Sequence, residues 1–183
     1  MILILPSQAS ADPMPSRSWW PLSVHARVGV VHGKDASLVR FGGMLGYVGG
    51  GSQGPGGLFW VLGPAANLCM TGTELPNGGR DYYQGWSLGP EARLGWAWGT
   101  DYRKASLHLG LQPYLIQMWA DSGRSFMSLG FRASVGLAYG HQFFGHKLDY
   151  YVLPNHIELV ADLMRCGPFD DAIHWGISVG WEY

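Results

Sequence analysis

The last eleven residues, IHWGISVGWEY (residues 173–183), alternate strictly between apolar or aromatic side chains and small or polar ones. The apolar positions are Ile173, Trp175, Ile177, Val179, Trp181 and Tyr183. The positions between them are His174, Gly176, Ser178, Gly180 and Glu182. Because successive side chains of a strand point to opposite faces, a period of two is typical of a β-strand with one apolar face. The segment therefore predicts a strand that is apolar on one side along its whole length.

The same alternation recurs upstream, which indicates an all-β protein. It predicts strands near residues 22–32, 38–48, 58–70, 85–98, 105–119 and 127–139. Turn-forming segments separate them, including GGGSQGPGG (residues 49–57) and the polar segment TGTELPNGGRD (residues 71–81). Pro90 and Pro113 lie within predicted strands, so a bulge or a change of register is expected near each.

One segment, NHIELVADLMRCGP (residues 155–168), fits two secondary structures. Asn155 as an N-cap, Glu158 three residues later and the terminal Gly-Pro are typical of a helix. The alternation of residues 156–164 favours a strand instead. A strand here brings the total to eight, the even number that an up-and-down antiparallel barrel needs, so we predict a strand.

Composition separates the chain from ordinary soluble domains and from helical membrane proteins. The 183 residues suit one domain. Charged residues make up only 14 %, against about 25 % in typical soluble proteins. No stretch approaches the roughly 20 apolar residues of a membrane-spanning helix. The net charge of −1 gives no reason to expect binding to nucleic acid.

The faces opposite the apolar ones are rich in glycine, serine, histidine, arginine and glutamate. Glycine weakens a strand and gains nothing from facing water, but it fits where space is tight, as inside a narrow barrel. We therefore expect the apolar face to point outward to lipid and the glycine-rich polar face to point into the interior. Outer-membrane barrels show this arrangement, with spanning strands of about 9–11 residues.

The polar faces carry charges of both signs in equal number. Charges in a narrow interior must be paired, so we predict an ion-pair network that fills the barrel rather than an open pore. A gate or selectivity site is the alternative function for the same residues. The predicted network comprises Arg27, Arg40, Glu91, Arg93, Arg132, Glu158, Asp162 and Glu182.

The aromatic residues sort by strand direction. If strands alternate up and down, one large group falls near one rim, and Trp86, Trp119 and Trp175 fall toward the other. Because amphipathic rings prefer the headgroup level of a bilayer, we predict that the first group lies at a membrane interface. Its members are Trp20, Tyr47, Trp60, Trp96, Trp98, Tyr139, Trp181 and Tyr183.

The N-terminus suggests export. Residues 1–11 contain an apolar run and the small-x-small pattern Ala9-Ser10-Ala11, so they read as a signal-peptide remnant. Residues 12–20 then form a linker, and residues 21–183 form the barrel. Cys69 and Cys166 either form one disulfide, which an exported protein permits, or remain separate thiols.

With this pattern, the chain resembles the small eight-stranded outer-membrane barrels, the class of the outer-membrane protein A transmembrane domain and outer-membrane protein X. The resemblance rests on alternating strands and on a C-terminal strand that ends in an aromatic residue. It implies a closed up-and-down antiparallel transmembrane β-barrel in the outer membrane of a Gram-negative-type cell. It also implies insertion by the barrel-assembly machinery and contact with outer-membrane lipid and lipopolysaccharide.

Some barrels of this class modify lipid A, so the resemblance raises the question of whether the chain has catalytic side chains. His156, Glu158 and Asp162, with His174, could form an acid–base cluster, but hydrogen bonding within the interior also explains them. Ser106 and His108 stand in the reverse order of the lipid A deacylase pattern. We therefore predict no catalytic residues, no cofactor and no metal site. A lipid A deacylase or acyltransferase-like enzyme and a soluble calycin-like barrel that binds an apolar ligand remain the alternatives.

Overall fold

The computed structural model describes residues 22–34, 36–50, 56–75, 78–100, 103–139, 154–169 and 173–182. Among these residues there is no helix of the length and apolarity needed to span a membrane. The elements are eight strands: β1 (Leu22–His32), β2 (Ser37–Gly50), β3 (Gly56–Glu74), β4 (Arg80–Thr100), β5 (Arg103–Ala120), β6 (Ser125–Tyr139), β7 (His156–Met164) and β8 (Ile173–Glu182). The predicted signal remnant and linker, residues 1–20, lie outside the described part of the chain.

The strands close into one barrel. Each pairs antiparallel with the next in sequence, and β8 pairs with β1 from His25↔Glu182 to His32↔Trp175. The prediction of a closed, up-and-down, all-β barrel of eight strands is confirmed.

The strand β7 settles the ambiguous segment in favour of the strand prediction. It pairs with β6 on one side and with β8 on the other. Pairing on both sides satisfies the backbone donors and acceptors of the segment. That gain outweighs the local helix signals, which are weak beside tertiary pairing.

Two strands run further than the sequence suggested. The polar segment 71–81, predicted as a loop, extends both β3 and β4 through pairs such as Thr71↔Tyr83 and Thr73↔Asp81. Threonine and tyrosine favour strands, and backbone hydrogen bonds of Leu75 with Gly78 and Gly79 close a turn between the two extended strands. Gly78 has a φ of 79° in this turn, a conformation that glycine adopts without strain.

Three outward-facing prolines interrupt the sheet without shifting its register. Pro64 and Pro90 lie opposite each other on β3 and β4. The β4–β5 ladder lacks partners between Leu88↔Leu115 and Ala92↔Leu111, where Pro90 faces Pro113, yet both flanks keep the same register. Proline has no N–H to donate, so the ladder has a gap at this point. The predicted bulge or change of register at Pro90 and Pro113 was therefore wrong.

The barrel has two distinct ends. End A is where the chain passes from β2 to β3, from β4 to β5 and from β6 to β7. End B carries the hairpins β1–β2, β3–β4, β5–β6 and β7–β8. At end B the β5–β6 turn is closed by hydrogen bonds between Ala120 and Arg124 and between Gly123 and Ala120.

The faces of the barrel differ in character. Large apolar side chains lie exposed on the outside, such as Leu129 at 78 %, Trp175 at 65 % and Leu68 at 64 %. Polar and charged side chains are buried in the middle of the interior. The expectation of a polar interior fails at end B, where an apolar group, the end-B cluster, fills the barrel. It contains Val31, Leu38, Cys69, Tyr83, Ile116, Met118, Val160, Met164, Cys166 and Phe169.

Candidate functional site in the barrel interior

Five charged side chains meet at the middle of the barrel, and we call them the central charge cluster: Arg27, Glu91, Arg93, Arg132 and Glu158. They come from β1, β4, β6 and β7, and each occupies an inward position of its strand. All five are buried, with exposed fractions of 4 % or less. Closure of the barrel therefore gathers charges that are far apart in the sequence.

Glu91 binds two arginines. The Arg27 guanidinium contacts it through two bonds, Nη1 to Oε1 at 3.0 Å and Nη2 to Oε2 at 2.7 Å. Arg93 Nε donates to the same Oε1 at 2.8 Å. The paired geometry of Arg27 is the strong form of an arginine–carboxylate contact.

Glu158 is the second carboxylate of the central charge cluster. Its Oε2 accepts a hydrogen bond from Arg132 Nη2 at 2.9 Å. Arg93 Nη2 lies 3.5 Å from Oε1, and Ser134 Oγ donates to the same oxygen at 3.3 Å. Two carboxylates thus hold three buried guanidinium groups, and each carboxylate serves more than one of them.

A second buried group lies between the central charge cluster and end B. Arg40 Nη1 is 2.8 Å from Asp162 Oδ2, and Arg40 Nη2 donates to the Tyr114 hydroxyl at 2.9 Å. That hydroxyl donates to Asp162 in turn. The inward Tyr114, which the sequence did not mark as a site residue, thus bridges this ion pair.

The structure places seven of the eight predicted network residues in these two groups. The eighth, Glu182, pairs through its backbone with His25 at the end of β8, and its side chain is outside the described part. Since each of the four arginines contacts a carboxylate, the interior contains closed ion pairs and not a row of like charges.

The predicted acid–base cluster is divided in the structure. His156 Nε2 is 3.8 Å from Glu158 Oε1, but Asp162 faces Arg40, and the His174 ring packs edge-on against Phe169 at 5.2 Å between centroids. Two histidines not predicted for this cluster, His25 and His108, instead flank His156. Their inward positions were readable from the alternation, whereas their meeting depends on which strands face each other across the barrel.

The two cysteines share one environment. Cys69 and Cys166 are both buried in the end-B cluster, and both thiols are free in this structure. The structure thus shows two separate thiols, and a disulfide between Cys69 and Cys166 stays a prediction.

The predicted interface aromatics lie outside the barrel wherever their side chains are described. Tyr47, Trp60, Trp96 and Trp98 are 40–52 % exposed near end A, and Trp181 is partly exposed beside them. Trp119 and Trp175 are exposed near end B. Trp20, Tyr183 and the side chain of Tyr139 are outside the described part of the chain.

A hydrogen-bonded acid fastens two hairpins at end B. Asp81 accepts hydrogen bonds from Ser122 Oγ at 3.0 Å and from Arg124 Nη2 at 3.0 Å. Partial removal from water acts to raise the pKa of Asp81, but these hydrogen bonds outweigh it and hold the pKa below its ordinary value. The carboxylate form is therefore the one that the folded state favours.

Replacing Asp81 with asparagine is expected to destabilise the barrel at neutral pH. Because the folded-state pKa is lowered, the contribution of Asp81 is complete above its ordinary pKa of about 3.9 and is lost as pH falls through the folded-state value. The difference in thermal midpoint between wild type and D81N should accordingly close at acidic pH. The exposed Asp121 gives the matched control, and D121N should show no such difference. A gap between wild type and D81N that is unchanged at low pH would contradict the assignment.

The chain matches no protein-family model, no curated protein and no solved structure.

Proposed function

We propose that the chain is an integral outer-membrane β-barrel protein with a packed, ion-paired interior and a structural or interaction role without catalysis. The observation that carries the proposal is the distribution of side chains: exposed leucine, isoleucine, valine and tryptophan outside, and buried arginine and glutamate inside. A water-soluble barrel would gain free energy from the opposite arrangement. Exposed apolar surface of this extent marks a surface that binds lipid or protein.

The height of the apolar surface fits a bilayer. On β6 the outward apolar positions run from Met127 to Leu137. Ten steps of about 3.3 Å give about 33 Å along the strand. At the tilt of about 40° usual in such barrels, this corresponds to about 25 Å across the membrane, the height of the apolar band in outer-membrane barrels.

The aromatic side chains border this surface. Trp96 and Trp98 lie at the end-A side of β4 and Trp119 at the end-B side of β5, all exposed. Tryptophan prefers the interface between lipid tails and water. Two aromatic borders with an apolar surface between them support insertion across a membrane rather than adsorption on it.

The filled interior supports a role that is not transport. Ion-paired side chains occupy the middle, and the end-B cluster blocks one mouth. Any binding therefore takes place on the outer surface of the barrel. The partners we propose are outer-membrane lipid and lipopolysaccharide, with the barrel-assembly machinery during insertion.

Lipid A from cells with and without the protein should give the same mass spectrum. A changed acylation pattern would instead support an enzymatic role.

Purified outer membranes from cells that express the chain provide the direct test. We expect the protein in this fraction and a faster gel migration without boiling than with it, since a closed barrel resists detergent until heated. The boiled half of each sample is the control for identity and load. A protein that stays monodisperse in plain buffer, without detergent, would refute the membrane assignment and favour a soluble barrel.

A further inference from the structure

Three buried side chains, one of which belongs to the central charge cluster, direct potential metal ligands at one another. They are His108 on β5 and His156 and Glu158 on β7, and their ligand atoms all lie within 4.8 Å of each other. His156 Nε2 is 3.1 Å from His108 Nε2. Glu158 Oε1 is 3.6 Å from His108 Nε2 and 3.8 Å from His156 Nε2.

These three separations match the ligand shell of a transition-metal ion. The circle through three points at 3.1, 3.6 and 3.8 Å from one another has a radius of about 2.0 Å, and zinc binds histidine nitrogen and carboxylate oxygen at about 2.0–2.2 Å. One ion can therefore reach all three atoms without any movement of the backbone. Two histidines and one glutamate are also a known ligand set for zinc.

The ring geometry agrees with a shared ion. The centroids of His108 and His156 are 4.8 Å apart and the ring planes are 36° apart. Two nitrogens pointing straight at each other would hold the centroids further apart, so the rings are inclined to one another. Gly136 leaves the space for this arrangement, because a Cβ at that position would overlap both rings.

The surrounding groups can orient the ligands. His156 Nδ1, the nitrogen turned away from the site, contacts His25 Nε2. Ser134 Oγ donates to Glu158 Oε1, and Arg132 holds the other oxygen of the same carboxylate. Metal-binding histidines and carboxylates commonly have such outer partners, which fix ring orientation and tautomer.

We propose that His108, His156 and Glu158 form a binding site for one divalent transition-metal ion of the zinc class, with His25 as an outer partner of His156. Arg27, Arg93 and Arg132 lie around Glu158 and oppose a cation. The site therefore selects ions with strong affinity for imidazole nitrogen and rejects Mg²⁺ and Ca²⁺, which need oxygen ligands.

Metal binding also redirects one hydrogen bond. Arg93 Nη2 is 2.5 Å from His25 Nδ1, so in this arrangement His25 accepts from Arg93. When the Nε2 lone pair of His156 binds the metal, the ring proton of His156 is on Nδ1. His156 Nδ1 then donates a hydrogen bond to His25 Nε2. The His25 proton then moves to Nδ1, and Arg93 turns toward Glu91, which already contacts Arg93 Nη2 at 2.8 Å.

Zinc titration of the full chain, refolded in detergent and freed of metal with a chelator, tests the site. We expect one equivalent of Zn²⁺ to bind in calorimetry, and no binding of Mg²⁺ at the same concentration. H108Q and H156Q should weaken zinc binding by more than about 100-fold, and H25Q by about 10–100-fold, the usual effect of losing an outer partner. H32Q, which alters an exposed histidine on β1, should bind as wild type.

Gel migration with and without boiling shows whether each variant still forms the barrel. X-ray absorption spectroscopy at the zinc edge can be done on the wild type alone. The spectrum should show nitrogen and oxygen neighbours of the zinc ion, with the scattering signature of two imidazoles. Absence of zinc binding by the wild type, wild-type binding by a folded H108Q, or a sulfur neighbour from Cys69 or Cys166 would each overturn the proposal.

Discussion

Replacing Glu158 with glutamine should lower the free energy of unfolding by about 3–5 kcal/mol, the usual cost of removing one partner from a buried ion pair. Glutamine keeps the shape of the side chain but removes its charge. Arg132, which donates to Glu158 at 2.9 Å, would then keep a buried charge without its carboxylate partner. Glu158 itself is 0 % exposed, so water cannot compensate.

Urea unfolding of the protein refolded in lipid vesicles measures this loss, with a chelator present so that metal binding does not contribute. The matched control is E74Q. Glu74 forms a pair with Arg80 at 3.5 Å, and their side chains are 81 % and 63 % exposed. Exposed pairs contribute at most about 1 kcal/mol, so E74Q should unfold almost as wild type. Equal stabilities of E158Q and E74Q would mean that the interior charges are hydrated.

Replacing Leu159 with arginine should destabilise the barrel in a bilayer by about 2–4 kcal/mol, the cost of a charge on the lipid-facing surface near the membrane midplane. Leu159 is 62 % exposed and lies between Val135 on β6 and Ile177 on β8. The new side chain would replace an apolar contact with lipid by a charge in hydrocarbon.

The control for this variant is Q84R. Gln84 is exposed on the same outer surface, toward end B, where an arginine reaches the headgroups and should cost about 0–1 kcal/mol. Unfolding in vesicles of fixed lipid composition gives both values. If the outer surface faced water instead, L159R would be a surface substitution with an effect within about 0.5 kcal/mol, and this result would contradict the membrane assignment.

The sequence predicted the architecture well because the barrel repeats one physical rule along the chain. Alternation of apolar and polar residues located the strands, including the ambiguous segment around Glu158. It underestimated β3 and β4, because Thr71 and Thr73 lie in a segment whose glycines and proline suggested a loop. Local composition cannot reveal that Tyr83 and Asp81 stand opposite those threonines and extend the ladder.

The interior was less predictable, since its contacts depend on three-dimensional closure. The inward arginines and acids were visible as a balanced set, but their pairing was not. Tyr114 joins Arg40 across 74 positions of the sequence, and His25 meets His156 across 131. The end-B cluster was missed because apolar residues fall on both faces of β5 around Ile116 and Met118, so alternation gives no clear direction there.

Pairing of β8 with β1 has a kinetic consequence. This seam joins residues 25–32 to residues 175–182, the longest separation in the barrel, so its loop-closure entropy is the greatest. The other seven ladders join strands that are neighbours in sequence, so they can form one after another. The pairing of β8 with β1 is then expected to form last. Until then, the growing sheet keeps two unpaired edges that invite association with other chains. A slow or failed closure would therefore show itself as intermolecular strand exchange.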